Sequence, residues 1–178
     1  GHAGTLDPFA TGLMIILTGK ECKNAQQYVK LDKVYEAVIR LGQTSTTGDP
    51  EGEIIDVSDN VPTKEQVEAT LASFVGSISQ QPPIYSAIKI NGQRAYKLAR
   101  QGAKVEMPTR EVTIHSIELI DYTYPNLKMR AHVSSGTYIR TLAQDIGDTL
   151  GTGAYCTELR RTKIGDWHID DAWPIAKD

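Results

Sequence analysis

The arrangement of strand-forming segments places the strongest constraint on how this chain folds. Residues Lys33–Leu41 (KVYEAVIRL) alternate in polarity and are rich in β-formers, so they predict a strand. Further strands are predicted at residues 54–57, 84–90, 112–121 and 128–133. Most links between them are too short for the crossover that parallel strands require. We therefore expect an α+β fold with a mixed, mainly antiparallel sheet flanked by helices, and not a doubly wound nucleotide-binding fold.

Two helices are predicted between these strands. Thr63 and Gln66 form a capping box for a helix that begins at the preceding proline. Its apolar face consists of residues at helical spacing: Val67, Leu71 and Phe74. The Asn91-Gly92 pair predicts a tight turn, and a short basic helix should follow it through Arg100.

A third predicted helix places a positive charge where the helix dipole disfavours it. Thr137 is a suitable N-cap for this helix, and Gly151 should end it. Its apolar residues recur at helical spacing: Ile139, Leu142, Ala143 and Ile146. Arg140 lies in the first turn, beside the positive end of the dipole, so it is expected to face an anion. That anion is either a carboxylate of a neighbouring structural loop or part of a functional site.

The opening segment, GHAGTLDPFATG, leaves two roles open for Asp7, which either shapes a turn or belongs to a functional site. An aspartate before proline favours extended backbone, and its carboxylate can accept backbone N–H bonds in a turn. The same rigid turn can hold a carboxylate at the mouth of a cleft. Two further segments, at residues 134–147 and 159–167, are also richer in polar residues and glycine than a simple core requires.

Several kinds of site are excluded by the motifs that the chain lacks. It contains neither a phosphate-binding G-x-x-x-x-G-K-[ST] loop nor a G-x-G-x-x-G turn. The four histidines have no second histidine or cysteine at ligand spacing. We therefore expect chemistry by side chains alone, with no cofactor and no metal.

Length, apolar content and cysteine number predict the cellular location of the protein. Its 178 residues fit one domain, and no apolar run approaches the length of a membrane helix. No secretion signal is visible, and the two cysteines, Cys22 and Cys156, are far apart. A soluble cytoplasmic protein with reduced thiols and no membrane association is expected.

The charge is segregated along the chain although the net charge is only −3. Seven acidic residues and one lysine lie between residues 45 and 70, whereas six basic residues and one glutamate lie between 83 and 110. The basic stretch is either a surface that attracts a phosphate backbone or simply a solvated helix face.

Five blocks occur in an order that closely resembles the TruB family, the bacterial tRNA pseudouridine-55 synthases. The blocks are GHAGTLDPFATGLM, KVYEAVIRLGQTSTTGD, PPIYSAIKINGQRAYKLARQG, SGTYIRTLAQDIG and LRRTKIG. The resemblance covers residues 1–167. It implies the pseudouridine synthase fold, with a thumb insertion at about residues 84–110 that closes on RNA.

The resemblance also implies roles for individual residues. Asp7 falls on the catalytic aspartate, Arg140 on the arginine that pairs with it, and Tyr35 on the tyrosine that stacks against the target uracil. The other positions expected to bind substrate are His2 in the opened T-loop, Tyr138 beside Arg140, Leu159 against the base, and the thumb cations Lys89, Arg94, Lys97 and Arg100.

The implied activity is conversion of uridine 55 in the TΨC loop of tRNA to pseudouridine. The expected partner is the T-arm of tRNA, with a monomeric enzyme that needs no protein partner. One alternative is a non-catalytic RNA-binding or tRNA-folding module. Another is a guide-RNA-dependent relative that acts on ribosomal RNA, which the thumb disfavours.

The chain departs from the family at both ends. Family members begin with a strand-forming segment of roughly 40 residues and usually end with an RNA-binding domain of PUA type. Residues 1–178 contain neither, so they are expected to be a pseudouridine synthase catalytic domain that is part of a longer protein.

Overall fold

The computed structural model describes residues 1–175, so the last three residues of the domain predicted over 1–178 lie outside the described part. The strands are β1 His2–Ala3, β2 Thr11–Gly12, β3 Ile15–Ile16, β4 Lys33–Leu41, β5 Gln43–Ser45, β6 Ile54–Asp56, β7 Gly76–Gln80, β8 Lys89–Ile90, β9 Gln93–Arg94, β10 Arg110–Thr123, β11 Asn126–Val133, β12 Ala154–Ile164 and β13 Trp167–His168. The helices are α1 Ala25–Val29, α2 Lys64–Ser73, α3 Ala95–Arg100 and α4 Ile139–Leu150. Short 3₁₀ helices lie at Gly19–Asn24 and Ile169–Asp171.

One seven-stranded sheet organises the fold. Its path runs in the order β13–β12–β4–β11–β10–β7, and each pair of neighbours on the path is antiparallel. The remaining strand, β2, lies parallel to β12. The pairs β1–β3, β5–β6 and β8–β9 form small antiparallel ribbons. The predicted mixed, mainly antiparallel sheet is therefore confirmed.

Strand β4 shows why the alternating pattern folds as it does. Ala37, Ile39 and Leu41 are buried on one face of the sheet. Their partners on β11 continue this face, with Met129 opposite Ala37 and Leu127 opposite Ile39. Helices α2 and α4 pack against it through their buried apolar residues: Val67, Leu71, Ile139, Leu142, Ala143 and Ile146. Removing this apolar surface from water is the main force that holds the helices on the sheet.

The predicted helix ends are largely confirmed. The Thr63 hydroxyl accepts from the Gln66 N–H, and the Gln66 side chain accepts from the Thr63 N–H, so the capping box forms. Gly151 ends α4 with a φ of 72°. The N-cap of α4 is Tyr138 and not Thr137, because the Thr137 hydroxyl donates to the carbonyl of Ser134 in the preceding turn.

The strand predicted at residues 84–90 is wrong over most of its length. Only Lys89–Ile90 is a strand, and residues 84–87 form bends. Pro82 and Pro83 precede this region and cannot donate ladder hydrogen bonds. The Asn91-Gly92 turn is confirmed, with φ of 49° and 83°. Residues 84–110, called the thumb segment below, have a small apolar cluster of their own made of Ile88, Ala95 and Met107.

Sequence patterns did not predict β12, although it lies between β13 and β4 in the sheet. Its pairing with β4 shifts register twice, between Cys156 and Glu158 and between Arg161 and Lys163. Each shift interrupts the two-residue alternation that identifies a strand in a sequence. The two-residue pattern therefore does not identify residues 154–164 as one strand.

Candidate active site

Asp7 lies in the segment between β1 and β2, in the turn that its sequence predicts. The Asp7 carbonyl accepts from the Ala10 N–H at 2.9 Å. This turn leaves the side chain about one-third exposed, at 30%. The carboxylate is thus held by local backbone structure at the edge of a cleft, where solvent or a substrate can reach it.

Arg140 faces Asp7 from the first turn of α4, as the helix-dipole argument predicted. Its side chain is only 3% exposed. Nη2 donates to Asp7 Oδ1 at 3.2 Å, and Nε lies 2.9 Å from Asp7 Oδ2. The Nε–H is not aligned with that oxygen, so this second contact is an ion pair without a hydrogen bond. Nη2 also donates to the Tyr85 carbonyl at 2.9 Å, and Nη1 donates to the Thr47 carbonyl at 3.0 Å.

A second carboxylate, from Asp49, also contacts Arg140 and was not predicted as a site residue. Asp49 lies in the loop between β5 and β6, where its side chain is 5% exposed and its Oδ2 is 3.5 Å from Arg140 Nη1. Its Oδ1 accepts from the Thr47 hydroxyl at 2.7 Å and from the Glu51 N–H at 2.9 Å. In the sequence Asp49 is one of several acids in a polar loop, and only its burial sets it apart.

Burial and two neighbouring charges act on the pKa of Asp7 in opposite directions. Burial raises the pKa of the Asp7 carboxyl above its ordinary value, because the ionised form loses hydration. The Arg140 guanidinium lowers this pKa and Asp49 raises it, and the net direction is upward. Asp7 can therefore exchange a proton at a higher pH than an ordinary aspartate.

Asp7 and Arg140 line a cleft of about 510 Å³ that the thumb segment helps to form. Arg94 and Arg100 belong to the same lining, together with Tyr85 and Tyr96. The other two predicted thumb cations, Lys89 and Lys97, line a separate open pocket with Arg94. The structure thus brings a carboxylate–arginine pair and an exposed basic surface to one opening.

The two tyrosines predicted for the site lie in the neighbourhood of Asp7. Burial raises the pKa of Tyr35, on β4, and the negative charge of Asp7 adds to this effect. Tyr138 is fixed by Gln80, whose side chain accepts from the Tyr138 N–H at 3.0 Å and donates to its carbonyl at 3.2 Å. The ring of Tyr138 packs against the apolar cluster of the thumb segment, so it joins that segment to the start of α4.

His2 and Leu159 are not part of the described cleft lining. His2 is exposed on β1, where it pairs with Ile16. Leu159 is 7% exposed on β12, opposite Ala37, and belongs to the main apolar core against which Phe9 and Tyr35 pack.

A second buried arginine, Arg161, holds the segment that carries Asp7 and was not predicted as a site residue. It is 1% exposed, and it donates from Nε to the Leu13 carbonyl at 2.9 Å and from Nη2 to the Gly4 carbonyl at 3.2 Å. The Leu13 N–H donates back to the Arg161 carbonyl at 2.8 Å. At Gly12, where φ is 116°, a Cβ atom would overlap the Arg161 backbone, so β2 approaches β12 this closely only with glycine.

The residues whose arrangement suits a metal ion lie outside the cleft of Asp7. Among residues 1–175, the only histidines, cysteines and acids able to converge on one ion are Asp32, His115 and His132, outside the cleft lining. None of the described helices is both long and apolar enough to cross a bilayer.

Two solved structures share the fold of this chain over most of its length. The chain superposes on a chain of a Cbf5–Nop10–Gar1 complex with a TM-score of 0.71 and 28% identity, covering 94% of this chain and 41% of that one. It also superposes on a chain of an H/ACA RNP bound to a substrate RNA containing 2′-deoxyuridine, with a TM-score of 0.67 and 26% identity over 94% of this chain and 39% of that one.

Sequence comparison then identifies the family. Residues 1–139 match the profile of the TruB family pseudouridylate synthase N-terminal domain, and residues 140–176 match that of the tRNA pseudouridylate synthase B C-terminal domain. The chain therefore belongs to the TruB family. The boundary between the profiles falls at the start of α4, and one sheet contains strands from both sides.

Relatives of this chain include proteins named tRNA pseudouridine synthase B. The protein of Cupriavidus pinatubonensis is 48% identical over 175 residues, which are 97% of this chain and 56% of that protein. The protein of Francisella tularensis subsp. novicida is 48% identical over 177 residues, which are 98% of this chain and 59% of that protein. The chain thus spans less than two thirds of the length of these relatives.

Proposed function

We propose that this protein, as part of a TruB-type enzyme, converts uridine 55 in the T-loop of tRNA to pseudouridine, with Asp7 as the catalytic carboxylate. The observation that carries the proposal is the ion pair of Asp7 and Arg140 in a cleft shared with thumb cations. The relatives named tRNA pseudouridine synthase B support the choice of tRNA as substrate.

The reaction needs a carboxylate and no redox partner. The N1–C1′ bond breaks, the uracil turns, the C5–C1′ bond forms, C5 loses a proton to solvent, and N1 gains one. Attack at C6, attack at C1′ and proton removal at C2′ each require an ionised carboxylate. Arg140 favours that ionised form against the effect of burial, and partial exposure leaves Asp7 accessible.

Substrate binding requires the target base to leave the folded T-loop. Unstacking costs a few kcal/mol, and stacking on an aromatic ring such as Tyr35 returns roughly 1–3 kcal/mol. We assign Tyr138 to the wall beside Arg140, where it packs against the thumb cluster. His2, exposed on β1, would fill space in the opened loop, and Leu159 would form apolar support for the base through the core around Tyr35.

The thumb cations Lys89, Arg94, Lys97 and Arg100 are proposed to bind tRNA phosphates, since all four are exposed on one segment. Reversing them together to glutamate should weaken tRNA binding and flatten its salt dependence, by roughly 0.7 in slope for each phosphate that is no longer neutralised. A matched control reverses four exposed lysines elsewhere: Lys20, Lys23, Lys30 and Lys64. Equal losses of affinity in both variants would show that the change in net charge, and not the position of these cations in the thumb segment, weakens tRNA binding.

The substrate assignment is tested by tritium release from tRNA labelled at uridine C5, with no accessory protein. The protein should release tritium from a transcript labelled only at uridine 55. It should release none from a transcript whose labelled uridines all lie elsewhere. Release that requires a guide RNA would support the ribosomal RNA relative, and tight tRNA binding without release would support an RNA-binding or tRNA-folding module.

The remaining assignments follow from the same proposal. We infer a catalytic domain over residues 1–178 that works as a monomer on tRNA without a protein partner. The unpaired cysteines Cys22 and Cys156 and a tRNA substrate support a cytoplasmic location. Sedimentation of the protein alone and with tRNA measures the stoichiometry, and a one-to-one complex is expected.

A further inference from the structure

Two histidines and an aspartate converge on the sheet, outside the cleft. His115 comes from β10, His132 from β11, and Asp32 immediately precedes β4. His115 Nε2 lies 3.0 Å from Asp32 Oδ2, and His132 Nε2 lies 3.8 Å from the same oxygen. One ligand atom from each of the three residues lies within 4.8 Å of the other two. None of these residues lines the cleft of Asp7.

A β-bulge accounts for the approach of the two imidazoles. Ile114 pairs with Val133 and Ser116 pairs with His132, so His115 is the extra residue between two consecutive pairs. A bulge of this kind changes the direction of a side chain relative to the regular ladder. The His115 and His132 rings lie 4.7 Å apart between centroids. The backbone irregularity thus places both ring nitrogens at one carboxylate oxygen.

The donor set matches the ligands of a late first-row divalent metal. A carboxylate accepts only, so a neutral imidazole nitrogen can face it favourably through a proton or through a shared cation. Zinc binds imidazole nitrogen and carboxylate oxygen at about 2.0–2.2 Å in tetrahedral geometry, which separates ligand atoms by about 3.4 Å. The separations of 3.0 and 3.8 Å lie on either side of that value. The side chains are 38–45% exposed, so water can complete the coordination.

We propose that Asp32, His115 and His132 form a binding site for Zn²⁺ or a chemically similar divalent metal. The ion would join β10, β11 and the start of β4, three neighbouring segments of the sheet. It would be separate from the uridine chemistry, which uses the Asp7 cleft. Its expected effect is on stability, because an ion that binds only the folded chain raises the unfolding temperature.

Isothermal titration with ZnCl₂ tests the proposal, with Cys22→Ser in every protein so that no exposed thiol binds the metal. The parent protein should bind one Zn²⁺, and the His115→Ala/His132→Ala variant should bind at least about tenfold more weakly. His168→Ala is the matched control, because His168 faces a carboxylate through a single contact, 3.1 Å from Asp170 Oδ2. It should retain the parent affinity. An unchanged affinity in the double variant, or absence of Zn²⁺ binding by the parent, would overturn the proposal.

A spectroscopic readout covers the case in which the double variant folds poorly. Co²⁺ added to the parent should give the intense visible absorption of a tetrahedral ion, and Asp32→Asn should reduce it. The unfolding temperature of the parent should rise with Zn²⁺, and that of the Asp32→Asn variant should rise less. A weak octahedral spectrum together with an unfolding temperature independent of Zn²⁺ contradicts a built metal site.

Discussion

Two buried arginines hold the segment around Asp7, and their surroundings differ. Arg140, 3% exposed, contacts the carboxylates of Asp7 and Asp49. Arg161, 1% exposed, donates to the backbone carbonyls of Gly4 and Leu13 and has no carboxylate within 4.0 Å in the described part of the chain. One arginine therefore acts on the charge of Asp7, and the other acts on the position of its backbone.

The charges around Arg140 also differ from those around Arg161. Arg140 is compensated by two acids, and it lowers the pKa of Asp7. Arg161 is not compensated in this way, and together with burial its positive charge lowers the pKa of Lys33 to about 8. The difference implies that substitution of Arg140 should change both folding and proton chemistry, whereas substitution of Arg161 should change mainly the geometry of residues 4–13.

Among the substitutions that leave Asp7 in place, Arg140→Ala should have the strongest effect. Two carboxylates would then face each other without a cation, and breaking a buried ion pair costs about 3–5 kcal/mol. Loss of a preorganised charge beside the reacting groups should lower tritium release by roughly 100- to 1,000-fold. Urea unfolding and tritium release measure the two effects. Arg160→Ala, on the exposed neighbour of Arg161, should change the free energy of unfolding by less than about 0.5 kcal/mol.

Arg161→Lys should have an intermediate effect. A lysine keeps the charge but cannot reproduce the planar fork that reaches two carbonyls. Without these hydrogen bonds, the free energy of unfolding should fall by about 1–3 kcal/mol. A displaced Asp7 should slow tritium release by up to about 100-fold. The acid limb of the pH–rate profile should move less than in the Arg140→Ala variant, and an equal or larger shift would contradict the positional role of Arg161.

The smallest effect, but the most specific, is expected for Asp49→Asn. Asp49 raises the pKa of Asp7, so its neutralisation should lower that pKa. In the proposed mechanism, activity requires ionised Asp7 and is lost as the pH falls through its pKa, so the acid limb should move to lower pH. The control is Glu51→Gln, an exposed acid of the cleft lining that is not among the groups acting on Asp7. An acid limb that moves to higher pH, or that moves equally in both variants, would show that Asp49 does not raise the pKa of Asp7.

Sequence reasoning succeeded where a local rule connects a residue to its surroundings. Arg140 in the first turn of a helix requires an anion, and the structure provides Asp7. The alternation in Lys33–Leu41 predicted β4 with the observed bounds. The fold class followed from the short links between strands, and the structure confirms it.

The remaining features depend on contacts distant in sequence. Asp49 and Arg161 each lie among other charged residues in polar runs, and their burial appears only once α4 and β2 are packed beside them. The expectation of no metal rested on local ligand spacing, which does not test side chains on adjacent strands such as His115 and His132, so it stays a prediction beside the metal site proposed above. The site was therefore predictable in its central ion pair but not in the groups that tune and position it.

Asp7→Asn removes the carboxylate on which the proposed chemistry depends, and Asp170→Asn is the control at an exposed acid. Because the pKa of Asp7 is raised in the fold, its ionisation destabilises the native state as the pH rises through that pKa, so the amide should not reduce stability at neutral pH. The variant should therefore fold, bind tRNA with the parent affinity, and release no tritium in a single turnover. Tritium release at the parent rate from the folded Asp7→Asn protein would exclude Asp7 as the catalytic carboxylate.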